Sequence, residues 1–259
     1  MAFPLVTTAA RQARVLEVAG HRPWPVPCWP WSVAQTLLDA VSCHWEVAPE
    51  ALAPFLPADV EPDLYEGRAW LTIAALRVTG LRVRGLLPVP GLSDGAELVV
   101  RATVVVGDRP AALLLDAAFS SRVAVEAARR LYRLPAARAR IDVRREGEAV
   151  RVETSRTRPG GAPAVFHARF EPTAAAAPAA PGSVEAFLHE RFLLVVGRPG
   201  GGSLVLAEQH RPPWRLAPAR AAVSLATVVP PGLVQGAPGL AHIAEPLDQL
   251  VWAPELQVS

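Results

Sequence analysis

The sequence predicts a mostly β domain of the α+β type, in which an antiparallel sheet or barrel carries a few short helices. Three observations predict it. Short strand-like runs recur along the chain, each punctuated by glycine or proline. Only two later stretches place apolar residues at helical spacing. No repeat period is present, and 259 residues suffice to bury a sizeable core.

Residues 1–30 read as an arm and 31–259 as the domain. The segment His21–Pro30 is rich in proline, which blocks regular structure, and the first few residues are expected to be disordered. Trp24, Trp29 and Trp31 imply that the later part of the arm docks. An apolar strand follows over 35–47, then a short proline-started helix at 49–57 and a strand over 68–78. Further strands are expected at 97–106, 111–119, 139–145, 149–156, 165–170, 192–196, 204–208 and 222–229. One helix is expected over Ser121–Leu134 and another over Ser183–Arg191, where serine caps an acidic first turn. Ala174–Pro181 reads as a surface connector. Gly197–Ser203 lacks the following helix that a phosphate cradle needs and reads as a hairpin loop.

Composition narrows the function. The chain is 51% apolar and 19% charged, with a net charge of +2, which gives no footprint for nucleic acid or a membrane surface. All 26 basic residues are arginine. A lysine Schiff base, lysine-linked pyridoxal phosphate and a P-loop lysine are thereby excluded. Cys28 and Cys43 are too few for a disulfide framework and are expected to be free thiols. There is no secretory-signal pattern and no apolar run of membrane-spanning length, so the expectation is a soluble, cytoplasmic protein.

Seven segments in order carry a family resemblance: His44-Trp45, Pro54–Pro57, Gly67–Trp70, Pro90–Ser93 with Glu97–Arg101, Ala127–Pro135, Pro181–Arg191 and His210–Trp214. Together they resemble the uncharacterised YqjF-like family (domain of unknown function 2071), which is similar to acetoacetate decarboxylase and its relatives. The resemblance spans about 35–255. It implies the acetoacetate-decarboxylase-like fold, a strongly bent antiparallel sheet closing as a double barrel around an internal cavity. Departures are informative. The decarboxylases form their imine on a lysine in a Pro-Lys-Lys segment, where this chain has Pro135-Ala136-Ala137. Val99 replaces an asparagine usual in the YqjF-like family, Ala136 replaces its tyrosine, and the position of its usual aspartate falls near Ala118. These losses fit either a degenerate member or one retuned toward a more apolar ligand.

The candidate residues follow. Glu97 and Arg101 lie four apart in a strand and so share a face. Glu97 also matches a glutamate that the decarboxylases carry at the cavity. The two are expected to form a buried charge pair, either functional or closing the barrel. Arg101 suits bidentate recognition of a carboxylate. Arg68 offers a second anion contact, with Trp70 as an apolar wall on the same face. His44 and His210 are candidate general acids or bases, or else hydrogen-bonded packing residues. Trp214 sits beside His210 in the Arg211-Pro212-Pro213 loop. Glu190 and Arg191 end a helix, where arginine suits the dipole and glutamate needs a partner. The histidines at 21, 44, 167, 189, 210 and 242 show no zinc-enzyme spacing, so neither a metal nor another cofactor is expected.

Two functional classes remain. One is a lysine-free acid/base enzyme acting on a small carboxylate or keto-acid-like metabolite, by decarboxylation, isomerisation, dehydration or cyclisation. The other is a non-catalytic protein that binds or senses an apolar acid in a degenerate site. A third reading, in which side chains fill the cavity, leaves only a surface role. A small molecule is the expected partner in the first two, and the superfamily resemblance makes a homo-oligomer plausible.

Overall fold

The computed structural model describes residues 4–89, 93–156, 163–230 and 232–258. The expected disorder of the first residues falls partly on 1–3, and Pro90-Gly91-Leu92 lie likewise outside the described residues. In chain order the elements are α1 (Pro4–Ala13), β1 (Val33–Val47), α2 (Pro49–Leu52), β2 (Glu61–Pro62), β3 (Ala69–Val83), β4 (Gly95–Val106), β5 (Arg109–Phe119) and α3 (Arg122–Tyr132). There follow β6 (Ala136–Arg138), β7 (Arg140–Glu146), β8 (Ala149–Arg156), β9 (Ala164–Pro172), β10 (Ala177–Pro178), α4 (Val184–His189) and β11 (Leu193–Gly197). The chain ends in β12 (Ser203–His210), β13 (Arg215–Ala226), β14 (Leu240–Ala244), β15 (Leu247–Val251) and β16 (Glu255–Val258).

The mostly β architecture with few short helices is as the sequence predicts. The strands run β15-β12-β11-β5-β4-β3-β1, and pairing of β1 with β15 closes these seven into a barrel. The sheet continues from β1 through β14, β13, β9, β8 and β7, which form an outer layer. One strand serves both parts because it is bent. The first half of β1 pairs with β15 and the second with β14, and its register against β3 shifts between Leu38 and Val41. Asp39 lies at this bulge with φ 47°, a left-handed conformation that aspartate tolerates. Burial pushes its carboxyl up, but hydrogen bonds from Arg145 and Arg77 outweigh that and hold it below its ordinary value.

Strand alternation sorts the side chains into two cores. Cys43, Trp45, Leu71, Ile73, Leu98, Val100 and Leu113 leave the barrel wall outward and pack with Val150, Val152, Phe166 and Phe170 of the outer layer. Phe166 and Phe170 are fully buried; truncating either to alanine costs about 3–5 kcal/mol. The neighbouring residues along the same strands point into the barrel. Val99 packs there against Leu114, Val196, Val205 and Leu134, which come from β5, β11, β12 and the segment after α3.

Both expected helices are present. Ser121 caps α3 and Ser183 caps α4, each hydroxyl accepting from the backbone amide three residues on. The glycine-rich segment is the hairpin between β11 and β12. The arm differs from expectation, because α1 forms within it. Arg11 pairs with Asp248, and buried Gln12 bonds Thr36, Gly80 and Arg82. Trp31 packs in the core with Val15 and Trp252, and Trp24 donates to Glu208. The Trp29 ring stays exposed; its backbone carbonyl accepts from Trp252 Nε1 at 2.7 Å. Cys28 is an exposed free thiol and Cys43 a buried one.

Candidate functional site

The inward face of β4 presents Glu97, Val99 and Arg101 in sequence. Four residues of strand separate the two ionisable groups by about 13 Å of backbone, and the expected Glu97–Arg101 ion pair does not form among the described residues. They instead stand at two ends of the inward face of β4, with the packed cluster of Val99, Leu114, Val196, Val205 and Leu134 between them.

Arg101 lies at the α4 end. Its Nη2 donates to the Leu188 carbonyl at 3.1 Å, and it has no carboxylate partner among the described residues. Burial first, then the neighbouring Arg211 and Arg191, lower its pKa to about 9, so it remains cationic at neutral pH. Its two neighbours are provided for. Arg191 pairs with Asp63 and donates to the Phe187 carbonyl at 2.6 Å. Arg211 donates to the carbonyls of Arg191 and His189. Beside them Gln35, Gln249 and Gln209 form a hydrogen-bonded row that ends on the Arg191 carbonyl.

Glu97 lies at the other end, with Val78, Phe119, Leu81, Ser93, Ser121 and Ala124 around a narrow cleft. Burial raises its pKa to about 7. Among the described residues no cation is close enough to counter that, so the carboxyl is poised to exchange a proton near neutrality. Between Glu97 and Arg101 the wall is apolar, and Leu134 enters it from the segment where the decarboxylases place their lysine. The β6 strand brings Ala136 against Ala117 and Phe119, and no amine stands there.

A second constellation adjoins Arg101. Cross-strand register aligns Arg101, Thr72 and His44 over β4, β3 and β1, and aligns Ser42 with His242 over β1 and β14. The α4 helix adds His189. His44 Nε2 and His189 Nε2 each lie 3.0 Å from Ser42 Oγ, and His242 Nδ1 lies 3.3 Å from His44 Nε2. His44 Nδ1 contacts Thr72 Oγ1 at 2.8 Å, and His189 Nδ1 donates to the Glu185 carbonyl at 3.0 Å. All three rings are buried. Burial first, then the other imidazoles and Arg101, hold His44 and His189 well below their ordinary pKa, so both are neutral at pH 7.

Four expected site residues lie elsewhere. Arg68 precedes β3, is more than half exposed, and faces Glu46 at 3.6 Å, so it offers the lumen nothing. His210 lies under the arm: its Nε2 contacts the Val15 carbonyl at 3.0 Å and its ring stacks on His21. Burial lowers its pKa to about 4, and it holds the arm rather than a ligand. Trp214 and Glu190 form a structural pair, the Trp214 amide donating to Glu190 Oε1 at 3.0 Å. Trp70 is buried on the same β3 face as Thr72, with its Nε1 unpartnered among the described residues. The sequence reading overlooked Ser42, Thr72, His189, Gln209, Arg211 and His242. Their chain separation hid them; only strand register and the seat of α4 bring them together.

A closed barrel of seven strands continued into an outer sheet is the acetoacetate-decarboxylase-like fold. Solved structures of that fold agree. The chain is similar to the enduracididine biosynthesis enzyme MppR complexed with pyruvate (TM-score 0.63, 15% identity, 90% of this chain and 93% of that one). It is also similar to acetoacetate decarboxylase from Legionella pneumophila (TM-score 0.61, 12% identity, 93% and 94%). An acetoacetate decarboxylase-like enzyme from Sphingomonas wittichii RW1 gives TM-score 0.59 at 14% identity, over 93% and 99% of the two chains. Within that class, the chain belongs to DUF2071, a family of uncharacterized conserved proteins whose profile matches residues 34–248. It is 30% identical over 230 residues to the uncharacterized protein YqjF of Bacillus subtilis strain 168, covering 88% of this chain and 93% of that protein. Among the described residues no helix is long and apolar enough to cross a membrane.

Proposed function

We propose that this protein binds a small carboxylate with an apolar body inside the barrel, and that Glu97 exchanges a proton with it. The observation that carries the reading is Arg101, a half-buried guanidinium with one carbonyl acceptor and no acid beside it among the described residues. A cation partly withdrawn from water without a counter-ion is destabilised, and an anionic ligand relieves that cost. The apolar wall along Val99, Leu114, Val196 and Val205 suits the body of the ligand, and Glu97 stands where its far end would lie. A carboxyl with pKa near 7 serves either as acid or as base at neutral pH. Without lysine the chemistry is proton transfer without an imine, as in isomerisation, dehydration or cyclisation of a keto-acid-like metabolite. The pyruvate bound to MppR matches in charge the acid group that Arg101 would hold. The alanines at 136 and 137 favour a second reading, in which the same pocket sequesters or senses the acid and leaves it unchanged.

Thermal unfolding of the wild type and Arg101→Ala in the presence of keto acids, hydroxy acids and apolar carboxylates tests the binding. A ligand at a hundred times its dissociation constant adds about 2.7 kcal/mol of stability. The expected outcome is a shift in the wild type that Arg101→Ala loses. Equal shifts in both would overturn the assignment of Arg101. Turnover of the stabilising acid, abolished in Glu97→Gln, separates catalysis from sequestration.

A further inference from the structure

We propose that His44, His189 and His242 form a binding site for a divalent transition-metal ion of the zinc class, with Glu185 beside its open side. The inference does not depend on what the lumen binds.

The geometry is the first argument. The ligating nitrogens of the three rings lie within 4.8 Å of one another. An ion bound tetrahedrally at about 2.0–2.1 Å holds neighbouring nitrogens about 3.3 Å apart. His44 Nε2 and His242 Nδ1 already stand at 3.3 Å. Small ring rotations bring His189 Nε2 to the same centre, because only the Ser42 hydroxyl, 3.0 Å from each, lies between it and His44.

The proton inventory is the second. The Glu185 carbonyl can only accept, so His189 carries its proton on Nδ1 and turns a bare Nε2 toward the centre. A proton on His44 Nδ1, donated to Thr72 Oγ1, likewise frees its Nε2. Metal-binding histidines are characteristically oriented by such contacts from their second nitrogen. With the His242 proton on Nε2, three bare nitrogens face one another with only the Ser42 hydroxyl proton among them, and an ion satisfies all three at once.

The surrounding charge is the third. Arg101 and Arg211 face His189, and Arg101 faces His44; both cations repel a dication. Glu185, one turn before His189 on α4 and facing His242, supplies the opposing negative charge, and its carboxylate has no hydrogen-bond partner among the described residues. Three imidazoles with a single nearby carboxylate select zinc, cobalt, nickel or copper over magnesium or calcium.

The test uses the full chain, stripped of metal with a chelator and titrated with Zn2+ and, separately, Co2+. One equivalent of Zn2+ is expected to bind, and Co2+ is expected to show the intense visible bands of four-coordinate geometry. His189→Ala and His242→Gln are expected to weaken Zn2+ by more than about tenfold, the loss that even a supporting contact costs. His167→Ala, on the outer layer, is expected to bind as the wild type does. Circular dichroism establishes that each variant is folded. Sub-stoichiometric Zn2+ in the wild type, or undiminished binding in the folded His189 and His242 variants, overturns the proposal. Should those variants fail to fold, the wild-type cobalt spectrum decides: weak octahedral bands overturn it.

Discussion

Replacing Glu97 by glutamine is expected to stabilise the protein, and only above a particular pH. In the folded protein burial raises the Glu97 carboxyl from 4.5 to about 7. A raised carboxyl means that the folded state holds the proton more tightly than the unfolded chain. Below pH 4.5 the group is protonated in both states and contributes no pH-dependent stability. As pH rises through 4.5 to 7, the unfolded chain ionises freely while the folded one resists, and stability falls. Above pH 7 the full difference is lost, which amounts to about 3 kcal/mol at 1.36 kcal/mol for each unit of displacement. Partial exposure of the side chain makes that an upper figure. Glutamine is neutral throughout, so the variant escapes the loss. For a chain of this size 1 kcal/mol moves Tm by roughly 2–4 °C. Glu97→Gln is therefore expected to melt several degrees above the wild type at pH 8 and level with it at pH 4. The assay is a pair of melting curves at half-unit pH intervals. All other titrating groups are common to both proteins and cancel in the difference. A Tm difference that is constant with pH would refute the reasoning, because it would mean that Glu97 ionises normally. A gain in stability accompanied by loss of turnover would further identify Glu97 as a group kept at the expense of the fold.

Three other outcomes are expected. Arg101→Lys is expected to bind carboxylates more weakly than the wild type, and increasingly so as pH rises; an isothermal titration series that shows no pH trend would contradict this. Gln12→Ala removes bonds to Thr36, Gly80 and Arg82 from a buried site and is expected to cost about 1–3 kcal/mol in urea unfolding. Gly197→Ala places a Cβ 2.6 Å from Pro57 Cγ and 2.8 Å from Leu204 Cδ2, so a loss of about 1–3 kcal/mol is expected, and unchanged unfolding would disprove the crowding.

The features legible in the sequence were those set by local pattern. Ser121 and Ser183 announce their helices because a cap acts within one turn, and β8 runs over Ala149–Arg156 as its alternation requires. Strands β14 and β15 escaped notice although β15 closes the barrel. They are five residues each, separated by Glu245-Pro246, and their strand character comes from pairing with β1. The site divides in the same way. Alternation correctly placed Glu97 and Arg101 on one face, yet four residues of strand set them too far apart to pair. Arg68 lies one residue before its strand begins, at Ala69, where it is exposed beside Glu46. The histidines at 44, 189 and 242 come from β1, α4 and β14, and no spacing rule joins elements that meet only through tertiary packing.

The choice of arginine over lysine has a chemical consequence in this barrel. A Schiff-base nucleophile must lose its proton near neutral pH, and burial beside other cations is how a lysine is brought to do so. The surroundings of Arg101 supply that pressure, from desolvation and from Arg211 and Arg191. Applied to an ammonium with an ordinary pKa near 10.4, a displacement of this kind would leave an amine about half neutral at pH 7. Applied to a guanidinium, it leaves pKa about 9 and a cation that persists throughout the physiological range. The electropositive end of the lumen therefore cannot act as a nucleophile; it can only hold negative charge. Under the function proposed above, proton transfer falls to Glu97, at the far end of an apolar wall from the anchor. A ligand that uses both must carry its acid group and its exchangeable proton on opposite sides of an apolar segment. Among acids of equal charge, those too short to reach from Arg101 to Glu97 should bind without being turned over.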